Sequence, residues 1–277
     1  MANLRLIYDN TVDRATSLAA STTAGTLAAS YMQNDRKGQA HRSTGTSVTY
    51  DLTWTGGVTL GGVGLPATNL SATATIRCRI YSDTGMTALV ADSGTITACP
   101  GLNLSLWDWV GAINANAFAY GGASKSTVWF SQNYTGVKGL KIDLVDTSNP
   151  AGYIDCARIV AGAYWEPAHN PAYGLQVALE DSSRSERTHA GDQLTDRGTR
   201  SEKMSLELRL MPEADRAQLH QIFRNIGTAR NFLLSLLPMV GTTAEQDHII
   251  YGKRAQSGPV SFDAYSVFGN RIDIAGW

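Results

Sequence analysis

Few residues in this sequence have the types and spacing that chemistry needs. Asp108 stands between Trp107 and Trp109, and an acid flanked by aromatics is the pattern of a sugar-binding cleft. With a second carboxylate facing it, such a cleft would cut a glycosidic bond. The sequence marks no such second carboxylate. A strand here would also place Trp107 and Trp109 on one face, in a core, and turn Asp108 to water. The functional alternative is a saccharide contact through Trp107, Trp109 and Tyr120, without hydrolysis. Trp54, Trp129 and Trp165 sit in strand-like contexts, where large aromatics fill a core.

Other catalytic signatures are missing. There is no GxSxG elbow, HExxH, P-loop or GxGxxG. Gly61-Gly62-Val63-Gly64 is glycine-rich but precedes no helical pattern, so a turn or bulge is expected rather than a phosphate cradle. His41, His169, His189, His220 and His248 are scattered singly, with no partner at ligand spacing. His220, beside the apolar stripe of a helix, reads as structural. Cys78, Cys99 and Cys156 are an odd, widely spaced set, neither a disulfide framework nor a CxxC zinc pattern. Cys78 falls at an apolar strand position and reads as a small core residue. No catalytic residue, metal or cofactor is expected, and a non-enzyme is the reading.

The stretch from Asp181 to Lys203 carries Arg184, Glu186, Arg187, Asp192, Asp196, Arg197, Arg200 and Glu202. Arginines can contact phosphates, but here acids nearly balance bases and no aromatics are interleaved for base stacking. The formal net charge of −1 gives no further reason to expect nucleic acid. Mixed charge suits a subunit contact, where alternating signs fix register. Arg184, Arg187, Arg197 and Arg200 are the candidate intersubunit residues, and a solvated, disordered loop is the open alternative.

These side chains must be positioned by strands. Charged residues are only 17% of 277, and Gly, Thr, Ser and Ala are abundant, which favours strands and turns over solvent-facing helices. Val48, Tyr50, Leu52 and Trp54 alternate with Thr49, Asp51 and Thr53. Ile76, Cys78 and Ile80 alternate with Arg77 and Arg79, and Leu140, Ile142 and Leu144 with Lys141 and Asp143. Each two-residue period sends one strand face inward. Thr55-Gly56-Gly57, Ser82-Asp83-Thr84-Gly85 and Ser148-Asn149-Pro150 read as turns. The region to about residue 165 is thus expected to be a β-sandwich of jelly-roll type.

Pro167 and Pro171 mark a boundary, dividing the chain into 1–165 and 166–277. Beyond it, Leu175, Val177 and Leu179 form one alternating strand, and Met204, Leu206, Leu208 and Leu210 another, with a long loop over 181–203 between them. One clear helix follows: Pro212 at its start, Glu213 and Asp215 in its first turn, an apolar stripe of Leu219, Ile222, Phe223 and Ile226, and Gly227 as its stop. Strands are expected at 232–237, 248–253, 260–265 and 270–274. The fold class is all-β with one helix.

The order of the second region, from Gly174–Glu180 through the charged loop, Lys203–Leu210 and the helix Glu213–Ile226 to the closing strands, resembles the ring-forming, tail-tube-like domain of bacteriophage (siphophage) distal tail proteins. The first region, with Asp9-Asn10, Leu27-Ala28-Ala29-Ser30 and Ala72–Asp83, resembles the galactose-binding-like jelly rolls that decorate such virion proteins. In many distal tail proteins the ring domain comes first, whereas here the order is reversed. The resemblance implies a structural protein of the tail tip and baseplate. It would be a homo-oligomeric ring, a hexamer, joining the tail tube protein to baseplate hub and fibre proteins. The alternative is a glycan-binding adhesin or accessory module recognising host surface saccharide.

The N-terminus, Met1–Leu6, lacks the basic segment and apolar run of a signal peptide or anchor, and no stretch has the roughly 18–20 apolar residues of a spanning helix. A chain made in the bacterial cytoplasm and placed in the virion is the expectation, with no membrane insertion.

Overall fold

The computed structural model describes residues 3–101, 123–196, 198–238, 241–256, 258, 260–264 and 267–277, without the side chains of 260 and 262–264. Its centre is a ribbon of two long antiparallel strands, Ser47–Thr68 and Ser124–Val145, paired with several register shifts from Ser47 opposite Val145 to Thr68 opposite Ser124. One end of the ribbon is flanked by Ser17–Ala20 and Thr75–Tyr81, the other by Val160–Gly162 and Asp155–Cys156.

The ribbon folds over on itself. Tyr50, Leu52 and Leu140 from one end share a single core with Leu60, Leu65, Val128 and Phe130 from the other. Register shifts between Thr53 and Gly62 mark the bend. Thr55-Gly56-Gly57 is therefore not a turn but lies within the strand. A Cβ on Gly57 would stand 2.9 Å from Cα of Gly136, so the two backbones cross too closely for a side chain.

A second, eight-stranded sheet runs in the order Tyr164–Trp165, Arg5–Ile7, Phe232–Ser235, Ile249–Arg254, Val267–Gly276, Arg200–Met211, Gln176–Asp181, with Val260–Ala264 also paired to Val267–Gly276. Its second strand comes from the start of the chain: Leu6 lies opposite both Trp165 and Leu234. The helix Glu213–Ile226 forms as its caps and stripe dictate, with Pro212 before it, Gly227 at φ +56° after it, and Leu219, Ile222, Phe223 and Ile226 buried. Burial of each such side chain contributes roughly 1.5–3 kcal/mol. A second, short helix, Thr243–Gln246, is capped by the Thr242 side chain; its single turn leaves no periodic signal. The architecture is an all-β sandwich with one substantial helix.

The two sheets meet across a third apolar cluster: Ile7, Trp129, Val160, Leu233, Ile249 and Tyr251. Gly61-Gly62-Val63-Gly64 lies in this contact, inside a strand, with a register shift at its start. A Cβ on Gly64 would stand 2.3 Å from Leu233, and one on Gly62 would stand 2.6 Å from the Trp129 ring. The strand is buried on both faces, and the missing side chains let the second sheet come close.

The stretch 181–203 is not an unstructured loop. Arg184–Arg187 and Gln193–Asp196 form a two-stranded hairpin of wholly exposed residues. Local cross-strand hydrogen bonds supply the order that apolar packing cannot. The neighbouring edge strand Gln176–Asp181 is exposed along its whole length.

Candidate functional site

The apolar alternation of Arg200–Met211 breaks where the sequence gives no warning. Met204, Leu206 and Leu208 are buried in turn, but Leu210 is 66% exposed and Met211 takes the inward position. Leu208 lies opposite Asn270 and Met211 opposite Phe268, so two residues face one across a bulge, a device that re-aims side chains. Leu210 is held at φ +58°, left-handed backbone that costs a branched residue roughly 1–2 kcal/mol.

Beside it stands Tyr173, its ring fully exposed, just before Gly174 at φ +103°. The segment bearing it is tied down at both ends. The Ala172 amide donates to the Glu207 carbonyl at 2.8 Å, and the Leu4 amide donates to Asn170 Oδ1 at 2.8 Å. Tyr173, Leu210 and Ala172, with His169, Asn170, Glu207 and Arg209, line an open cleft of about 720 Å³. Arg209 donates to Glu207 Oε2 at 2.9 Å, both half-exposed. The arrangement is an apolar floor with an imidazole, an amide and a paired carboxylate and guanidinium around it. It offers one flat apolar contact and several hydrogen-bonding groups.

The thiols are enclosed, and burial pushes Cys99 and Cys156 up to about 12 and Cys78 higher still, so none is a thiolate nucleophile. Among the described residues no three His, Cys, Asp or Glu side chains are gathered to hold a metal ion, and no helix is long and apolar enough to cross a membrane.

The buried carboxylate Glu245 is structural: Oε1 accepts from Trp129 Nε1 at 2.6 Å and from Ser235 Oγ at 3.2 Å. Burial raises its pKa above the usual 4.5, against the pull of those hydrogen bonds. A carboxyl raised in this way binds its proton more tightly when folded. Its contribution to stability is full below about pH 4.5 and is lost as pH rises through the elevated value. Glu245→Gln keeps an acceptor for Trp129 without the charge. It is expected to melt higher than the parent near pH 8, with the gap closing toward about pH 4; thermal melts at the two pH values check this, and a gap independent of pH contradicts it.

Trp107, Trp109, Tyr120 and Arg197 lie outside the described residues. Arg184 and Arg187 are on the exposed hairpin, and Arg200 pairs with Asp181 at 3.2 Å. Trp54, Trp129 and Trp165 are buried, as is Cys78. His220 is exposed on the helix rather than part of a core. Buried His41 instead packs edge-on to Tyr50 and faces its hydroxyl at 3.0 Å. Sequence reasoning missed Tyr173 and Leu210: the first follows a proline-rich linker and the second sits in an unbroken apolar alternation.

No family model and no curated protein matches the chain. Among solved structures, a chitosan-binding module from a chitosanase/glucanase of Paenibacillus is similar over 55% of this chain and 98% of its own, at 15% identity and TM-score 0.40. A family 32 carbohydrate-binding module from C. perfringens NanJ, in complex with galactose, is similar over 56% and 98%, at 12% identity and TM-score 0.38. A Streptococcus pneumoniae fucose-binding module is similar over 55% and 95%, at 10% identity and TM-score 0.35.

The tail-tip expectation is corrected here. Solved structures similar to the chain include chitosan-, fucose- and galactose-binding modules, a lectin binding domain and a fucosidase, and these give the tail-tip resemblance no support. The ring hexamer, the tube, hub and fibre partners and the virion location rested on that resemblance and fall with it. The physical reason is that an order of strands, helix and strands is common to many small β-sandwiches.

Proposed function

We propose that the protein is a saccharide-binding module that acts without turnover, and that the cleft of Tyr173 and Leu210 is its contact. The observation that supports this is the exposed ring of Tyr173 beside a leucine turned outward at an energetic cost. Such strain persists where the surroundings impose it and is a mark of functional sites. A pyranose ring has an apolar C–H face and a rim of hydroxyls. The first matches a tyrosine ring and a leucine side chain, and the second matches His169, Asn170 and the Glu207–Arg209 pair, groups that together donate and accept. The cleft size falls within the range of small-ligand sites. On this reading the chain divides into a jelly-roll sandwich over 1–165 and a companion unit over 166–277, joined by the strand Arg5–Ile7.

Retention on immobilised chitosan and on galactose- and fucose-bearing supports tests the reading. The parent is expected to be retained on at least one, and Tyr173→Ala to weaken binding by about tenfold or more, roughly 1.4 kcal/mol, with its melting temperature unchanged. Equal retention of parent and variant would remove the cleft from the account, and no retention of the parent would remove the function.

A further inference from the structure

A strap of chain, residues 22–42, spans the junction of the two sheets and is fixed to both. At its ends the Ser21 amide donates to the Thr49 carbonyl and the Ser43 amide to the Ile154 carbonyl, each at 2.9 Å. Midway, Met32 on the short helix Ala29–Gln33 is wholly buried in the core of the first sheet. Toward the second sheet, Asp35 accepts from Tyr251 Oη at 2.5 Å, its carbonyl accepts from Trp277 Nε1 at 2.9 Å, and Lys37 donates to the Trp277 carbonyl.

His41 pins the two ends of this strap together. It is 0% exposed. Its Nε2 stands 3.0 Å from the Thr22 carbonyl oxygen, which can only accept, so Nε2 carries the hydrogen. Nδ1, 3.0 Å from the hydroxyl of the equally buried Tyr50, is left to accept from it. A proton on Nδ1 reverses that bond, and the phenol hydrogen then has no second acceptor among the described residues. The new charge also finds no free counter-ion. Asp155, in the strand opposite, is held by Arg42 through two hydrogen bonds of 2.8 and 2.9 Å. The other titratable side chains on the elements around the ring are Tyr50, Cys156 opposite it and Tyr31 on the short helix. Burial accordingly lowers the imidazole pKa below its usual 6.5, against the raising pull of the Thr22 carbonyl and Asp155.

We infer that His41 is an acid-operated latch: its protonation releases the strap from the first sheet, and with it the strap's hold on Tyr251 and Trp277 in the second. A ring whose pKa is lowered in the closed state binds its proton better in the open one. The latch therefore holds at full strength above about pH 6.5, the value of a free imidazole, and weakens as pH falls through that value toward the lowered one. His41–Arg42 pairs only with Asp155–Cys156, so the long ribbon keeps its own ladder when the strap leaves. The latch is independent of saccharide binding at Tyr173.

The test is amide hydrogen exchange of the full chain at about pH 7.5 and 5.5, corrected for intrinsic rates. Protection at Ala24, Arg42 and Ser43, whose amides close the strap, is expected to fall by about tenfold, as an open-state pKa near 6.5 dictates. Protection along the ribbon strands, at 47–53 and 139–145, is expected to stay. His41→Gln keeps an acceptor for Tyr50 and a donor for Thr22 but does not titrate, so it is expected to abolish the pH dependence. If that variant fails to fold, the imidazole signals of the parent decide, with His41 expected to titrate below about 6.5. Strap protection that ignores pH, an equal loss along the ribbon, a pH dependence that survives in His41→Gln, or a His41 ring titrating at or above about 6.5 would each overturn the inference.

Discussion

Arg158→Met is expected to destabilise the protein by about 3 kcal/mol, the lower end of what breaking a buried ion pair costs. The guanidinium is enclosed at 2% exposure, and each of its nitrogens is used: Nε toward Tyr251 Oη at 3.2 Å, one Nη toward the Met32 carbonyl at 3.2 Å, the other toward Asp13 at 2.8 Å. It joins the start of the chain to the second sheet, because Tyr251 Oη in turn donates to Asp35 at 2.5 Å. The carboxylates of Asp13 and Asp35 are nearly half exposed and recover water once the arginine is gone, which keeps the loss from being larger. Lysine preserves the charge but not the fork, so Arg158→Lys should recover only part of the loss. Denaturant midpoints measure both, and a methionine variant as stable as the parent would show that the network contributes specificity and no stability.

Trp129→Ala is expected to cost about 3–5 kcal/mol. The indole is 8% exposed, lies over Gly62, meets Tyr164 edge-on at 5.8 Å between ring centroids, and donates its N–H to Glu245. Its removal opens a cavity between the sheets and takes a donor from a buried carboxylate. Trp129→Phe separates the two effects, since it fills most of the volume and loses only the hydrogen bond, about 1–2 kcal/mol. If the two variants prove equally destabilised, the hydrogen bond rather than the packing holds the sheets together.

Much of the scaffold was legible in the sequence. The alternation of Val48 to Trp54 and of Ile76 to Ile80 is that of strands with one buried face, and the caps and stripe of Glu213–Ile226 delimit the helix. What escaped is long-range. Arg5-Leu6-Ile7 is too short to carry a period, yet it pairs with residues more than 150 positions away. Gly61–Gly64 reads as a break because glycine usually is one, and only the close approach of Leu233 and Trp129 explains its place in a strand. Leu210 keeps the alternation in sequence and breaks it in space. Asp13, Arg158 and Asn231 each look like ordinary surface polar residues until the fold brings them to one cleft. Element order alone suggested a tail-tip protein, and element order does not determine a binding site.

The measurement that tests the central claim most directly is a residue-resolved map of amide shifts in the labelled full chain on addition of a saccharide that retains it. Saccharide binding at the proposed contact predicts the largest shifts at His169–Gly174 and Glu207–Leu210, lost in Tyr173→Ala. Shifts centred on Trp107, Trp109 and Tyr120, with Tyr173 and Leu210 unmoved, would contradict it.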